Sequence, residues 1–302
     1  MSEMNKFSTV PPSGEMHVPP IIDVSHIVNK YLDIPYADRS ETQKLDLCLP
    51  EEGNGPFPLL IHIHGGAFMI GDKRDIQLTP FLESLNQGYA LASINYRMSG
   101  EAIFPAAVND CKAAIRYLRA NADKYNLDGL RFAAIGGSAG GNLTAMVCLT
   151  AFRPELADDS LGFSDVSCAV QAGVEWFGPT DFLKMDDQLA ANGLGPCDHN
   201  EADSPESRYM GGQITLLDPA WVKKANPMTY ISEDMPPLFI EHGRKDHLVP
   251  YQQSQIFAEM IEKKLGKMRV WFETLEEADH ADPLFETPEN MEKVFLFLSL
   301  HL

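Results

Sequence analysis

The sequence predicts an α/β fold, a mostly parallel central sheet flanked by helices. Three observations predict it. Apolar, β-rich runs recur along the chain, helical patterns separate them, and the central runs are apolar throughout, as strands covered on both faces are.

Residues 1–25 are Pro-rich and polar and read as an N-terminal arm, which leaves the main domain at 26–302. KYLDIPYA (30–37) and QKLDLCLP (43–50) alternate like a hairpin of edge strands. FPLLIHIHG (57–65) and YALASINYR (89–97) suit buried strands, and between them QLTPFLESLNQG (77–88) reads as a helix that stops at Gly88. Residues 105–122 open with Pro105 and put Val108, Cys111, Ile115 and Leu118 on one helical face. RFAAIGG (131–137) is the next strand, and a helix pattern begins just beyond it. AVQAGVEWF (169–177), PLFIEHG (237–243) and MRVWFETL (268–275) complete the strands, and Thr287-Pro288 opens a last helix with Met291, Val294, Phe295 and Leu298 on one side. Residues 181–226 break the rhythm: Gly, Pro, Asp and Asn cluster there with weak periodicity, over a length unusual for a connection. Following a core strand, such an insertion reads as a lid over a site at the sheet edge.

Composition narrows the function. With 24 basic against 43 acidic residues the formal charge is −19, a field that repels phosphate backbones and anionic membranes, so neither nucleic acid nor membrane is an expected partner. The five cysteines fit no zinc spacing or disulfide scaffold; only Cys168 with Cys197 is a candidate bridge. Residues 1–20 have no apolar leader core, so the chain as written reads as cytoplasmic, with secretion after removal of a leader as the alternative.

The motif that carries chemistry is Gly136-Gly137-Ser138-Ala139-Gly140, where the strand pattern becomes a helix pattern. A turn this tight lifts the Ser138 hydroxyl clear of the sheet and presents it as a nucleophile. A serine hydroxyl attacks carbonyl carbon poorly without a base. Of nine histidines, His280 in EEADHADPLF stands in a loop after a late strand, at the same sheet edge; His62 and His242 lie inside strands as core residues, and His199 lies in the insertion, where it reads as solvated. Asp246, three residues past Gly243, is the expected orienting acid. Asp279 is the rival, but neighbours on an extended backbone point apart. HIHGGAFMIG (62–71) follows a strand directly, so amides of Gly65 and Gly66, with that of Ala139, are the candidate oxyanion donors. Phe68 and Trp176 are candidate pocket aromatics, with core packing as the competing role for each.

These stretches (HGGAF at 64–68, GGSAGG at 136–141, GRKDHLVP at 243–250 and DHADP) resemble the α/β-hydrolases of the hormone-sensitive-lipase-like group. LDLCLP, FPAAVNDCKAAIRYLRANA, WFGPTDF and ADSPESRYMGG resemble its feruloyl-esterase-like members. The resemblance runs from about residue 28 to the C-terminus. It implies an α/β-hydrolase fold and a carboxylester hydrolase with Ser138 as nucleophile, His280 as base and Asp246 as its orienter. It also implies no metal or organic cofactor and a small-molecule ester as substrate, such as an acylated carbohydrate. One departure is Ala67, where lipase-like relatives carry a third glycine; its amide can still serve if its φ is ordinary. Cleavage of amides by the same triad, and ligand binding without catalysis, are the alternative functions.

Overall fold

The structure, a computed structural model, describes residues 18–302. Eight strands form one sheet: β1 (Lys30–Pro35), β2 (Lys44–Cys48), β3 (Phe57–Ile63), β4 (Ala90–Ile94), β5 (Leu127–Gly137), β6 (Ala172–Trp176), β7 (Leu238–Gly243) and β8 (Val270–Leu275). Their order across the sheet is β1-β2-β4-β3-β5-β6-β7-β8. β1 pairs antiparallel with β2, and β2 with β4, while every pairing from β4 through β8 is parallel. The hairpin thus has one edge strand, β1; β2 lies inside the sheet.

Side chains on successive strand positions go to opposite faces, and both faces are covered. On β3, Leu59, Ile61 and Ile63 join one core with helices α1 (Ala106–Ala120) and α2 (Ala139–Thr150). Leu60 joins the other, with Leu78 and Phe81 from the stretch after β3. That stretch, Ile76–Leu85, is a 3-10 helix containing Pro80, which lacks the N–H that a longer α-helical ladder would use. His62 faces Phe81, and burial pushes its ring down to about 3, so it is a neutral core residue.

Residues 181–226 hold short helices in place of a regular element: α3 (Met185–Asn192), α4 (Pro205–Met210) and α5 (Pro219–Val222). Ser204 and Asp218 cap the last two, each followed by a proline at the first helical position. Helices α6 (Gln252–Leu265) and α7 (Pro288–His301) follow β7 and β8. Of the expected arm, residues 1–17 lie outside the described residues. The rest runs along the body: Pro20 accepts from the Ile76 N–H and the Ile22 N–H donates to Arg74. Cys168 is buried and Cys197 exposed, both as free thiols, so the candidate bridge is not formed. Among the described residues no helix is long and apolar enough to cross a membrane.

The topology places the site. From β3 the chain moves to β4 on one side, then returns across β3 to β5 on the other. Loops leaving the C-terminal ends of β3 and β5 therefore diverge and open a crevice between them.

Candidate active site

Ser138 sits in that crevice as the residue between β5 and α2. Its backbone is left-handed, φ 57° and ψ −126°, a strained state for a residue with a Cβ. The neighbours hold it there: the Ser138 N–H donates to Trp176 O at 2.9 Å, and Ser138 O accepts from Asn142 N–H at 3.1 Å. The turn also brings backbones into contact. A Cβ on Gly140 would lie 2.1 Å from Ile63 O, and one on Gly136 2.5 Å from the same atom. The spacing of glycines round Ser138 is thus a steric requirement of the β3–β5–α2 junction.

His280, from the loop after β8, receives Ser138 Oγ at 2.9 Å on Nε2 and donates Nδ1–H to Asp246 Oδ2 at 2.8 Å. The Nδ1–H assignment follows from the carboxylate partner, which can only accept. Asp246 lies after β7, fully buried, and its Oδ1 accepts the N–H groups of Leu248 (2.9 Å) and Val249 (2.8 Å). Burial works to raise the Asp246 carboxyl, but the His280 and His242 rings beside it hold it below the ordinary carboxylate range. The chain order Ser138, Asp246, His280 is thus matched by one continuous hydrogen-bonded line.

His242 is more than a packed core residue. Its Nε2 lies 2.9 Å from Val249 O and 3.2 Å from Asp246 Oδ2, while Nδ1 meets Ser254 Oγ at 2.7 Å. The signal was present in sequence as a histidine four residues before the aspartate. Behind Ser254, 3.3 Å away, lies the Glu175 carboxyl, which burial pushes up to about 7 against the pull of His242. Asp279 takes no part in the triad; it pairs with His247, Nδ1 to Oδ1 at 2.6 Å.

The loop after β3 differs from expectation. The Gly65 N–H is already bonded to Gln77 Oε1 at 2.9 Å, so Gly65 is not a free donor. The N–H groups of Gly66 and Ala67 take no acceptor among the described residues, and that of Ala139, first in α2, has no partner within its helix. Gly66, Ala67 and Ala139 all line the cavity with Ser138 and His280. Ala67 is not in ordinary conformation, since its φ is 55° and that of Phe68 is 58°. These two left-handed residues turn the loop, which is closed by the Met69 and Ile70 N–H bonds to Gly66 O.

The cavity holds about 670 Å³. Phe68 lines it and is also fully buried, stacked on Tyr209 with ring centroids 3.9 Å apart, so it fills both of its candidate roles. Trp176 does not line the cavity: it lies under the site against Phe81 and Phe285, and the next residue, Phe177, turned by a φ of 40°, is the aromatic beside His280 at 4.9 Å. A strand end flips side chains between faces, which pattern alone did not reveal at residue 177. The insertion supplies one wall, including Asp198, His199 and Glu206, and Val18 to Pro20 supply part of another. His199 is buried, not solvated. Burial works against its charged form, but Glu206 Oε2 at 3.1 Å raises it to about 9, and Nε2 reaches Leu248 O at 2.9 Å. Among the described residues no group of three or more His, Cys, Asp or Glu could hold a metal ion.

The profile of the BD-FAE family matches residues 45–261. The chain belongs to the BD-FAE family. This BD-FAE chain is 32% identical to the probable carboxylic ester hydrolase LipM of Mycobacterium tuberculosis (strain ATCC 25618 / H37Rv), over 82% of this chain and 55% of the relative. Esterase LipQ of the same organism is 32% identical over 84% of this chain and 58% of its own length. The BD-FAE chain therefore spans little more than half the length of these curated relatives. Among solved structures, a bifunctional GH43-CE protein of Bacteroides eggerthii superimposes with a TM-score of 0.80 at 32% identity, covering 90% of this chain and 38% of the other. A truncated form of a carbohydrate esterase from gut microbiota gives 0.79 at 29% identity, covering 93% and 99%. With the single, mostly parallel sheet, these likenesses establish the α/β-hydrolase fold for this BD-FAE chain.

Proposed function

We propose that this chain hydrolyses carboxylic esters through an acyl-enzyme, with Ser138 as nucleophile, His280 as general base and acid, and Asp246 as the group that orients His280. The observation that carries the reading is the line Ser138 Oγ, His280 and Asp246, with contacts of 2.9 and 2.8 Å at the cavity floor. Ser138 Oγ attacks the ester carbonyl as His280 Nε2 takes its proton, and the N–H groups of Gly66, Ala67 and Ala139 receive the developing oxyanion. Collapse breaks the bond to the alcohol, which leaves with the proton from His280. Water, deprotonated by His280, then attacks the acyl carbon; the bond to Ser138 Oγ breaks, Oγ takes the proton back from His280 and the acid departs.

The substrate reading is a short-chain or aryl ester, or an ester on carbohydrate. It is supported by a cavity with an apolar floor at Phe68 and Phe177 and a polar insertion wall at Asp198 and Arg208, able to bond hydroxyl groups. A solved relative titled a carbohydrate esterase points the same way. In this reading the insertion 181–226 serves as the lid. The test is turnover of p-nitrophenyl acetate and of feruloyl esters by wild type and by Ser138→Ala. We expect kcat to fall by at least about a thousandfold in the variant; wild-type turnover would sink the assignment.

A further inference from the structure

β7 and β8 run side by side with Leu238 opposite Val270 and Gly243 opposite Leu275, a constant offset of 32 residues. That register continues past the strand ends. Arg244 meets Glu276 at 3.4 Å, Lys245 meets Glu277, and His247 meets Asp279 at 2.6 Å, all at the same offset. Two backbone bonds of 2.9 Å, Arg244 N–H to Leu275 O and Lys245 N–H to Ala278 O, bind the loops beneath these pairs. The Asp246–His280 contact, at an offset of 34, lies beside this ladder.

The rungs are unequal. Arg244–Glu276 and Lys245–Glu277 are exposed pairs of long side chains, screened by solvent and weak as fasteners. Asp279 is different, because its Oδ1 receives three donors: His247 Nδ1–H at 2.6 Å, the His247 N–H at 3.1 Å and the His280 N–H at 2.6 Å. One carboxylate thus grips the residue after the triad acid and the main chain of the triad base. The grip matters locally, since Ala281, the next residue, is turned left-handed with φ 51°. Asp279 itself does not line the cavity.

We propose that Asp279 is a positioning residue: paired with His247 and bonded to the main chain of His280, it holds the two loops in the arrangement that closes the Asp246–His280 hydrogen bond. The proposal rests on the triad reading given above. It acts on the transition state and not on substrate binding, because a base displaced by about 1 Å can cost on the order of a hundredfold in rate.

The experiment measures kcat, KM and Tm on p-nitrophenyl acetate for Asp279→Ala, Asp279→Asn, His247→Ala and the double variant Asp279→Ala/His247→Ala, with Ser138→Ala alongside. Asp279→Ala should lower kcat roughly ten- to a hundredfold with KM within about twofold. Asp279→Asn, which keeps an acceptor for the His280 N–H, should fall between it and wild type, and the double variant should lose less than the sum of the single effects. Wild-type kcat in Asp279→Ala overturns the proposal, as does a loss that disappears on cooling below the variant's melting range. If Asp279→Ala does not fold, the kcat of Asp279→Asn decides by the same criterion. An active Ser138→Ala would overturn the triad instead, whatever Asp279 does.

Discussion

The floor of the cavity and its insertion wall are built on different principles. The floor stands on strand ends: Ser138 after β5, Asp246 after β7, His280 after β8 and the Gly65–Phe68 loop after β3, with backbones so close that a methyl group does not fit at Gly140. The insertion wall stands on short helices of four to eight residues, held by caps and by the buried His199–Glu206 pair. One region packs backbone on backbone, while the other presents exposed polar side chains such as Asp198 and Arg208 to a cavity of about 670 Å³. On the proposed function, the contrast places rate and selectivity in separable parts of the chain. Changes in the floor should register in kcat or in folding, and changes in the wall in KM.

The largest effect should come from the floor. Gly140→Val would drive its Cβ against Ile63 O, a backbone atom of a central strand with no room to retreat. We expect loss of soluble folded protein or a fall in Tm of more than about 10 °C by circular dichroism, since a clash of this kind exceeds an ordinary core substitution. A stable, active Gly140→Val would show that the elbow is looser than its geometry. Gln77→Leu should be intermediate. It frees the Gly65 N–H beside the proposed oxyanion donors, so kcat should drop about ten- to a hundredfold with little change in KM. An effect confined to KM would move Gln77 from the floor to the wall.

The smallest effect should come from the wall. His199→Gln removes a cation that ties the insertion to Leu248, so KM should rise severalfold while kcat stays close to wild type. Its pH signature has a definite sign. The folded state raises His199 from 6.5 to about 9, so its contribution to stability is complete below about 6.5 and is lost as pH rises through about 9. The Tm gap between wild type and His199→Gln, a few degrees at pH 6, should close by pH 10; a gap that is the same at both values would remove the charge from the explanation.

Much of the floor was legible in the residues. Glycines round Ser138, a histidine and an aspartate each just past a late strand, and a glycine pair after β3 are local patterns whose chemistry admits few alternatives. The expectations that the structure overturns concern surroundings that only the folded backbone sets, near or far in sequence. Gly65 was read as a free donor because Gln77 could not be seen bonding it, and Trp176 as a pocket aromatic because the left-handed turn at Phe177 reverses which residue faces the cavity. His199 looked solvated in a polar stretch, yet Glu206 and Leu248 enclose it.

Periodicity and motif spacing alone determined the parallel α/β architecture, the order of its strands along the chain, and which serine, acid and histidine stand at strand ends. Those are short-range properties, set by turn sterics and by which faces must be buried. Tertiary structure decided which amides remain free for an oxyanion, how Asp246 comes to lie between His280 and His242, and how the β7–β8 register carries on into the contact between Asp279 and His247. Those depend on strand order across the sheet, where Ile63 of β3 pairs with Gly136 of β5 across 73 positions of sequence. Hydrogen bonds act over about 3 Å, and only the fold brings such distant residues within that reach.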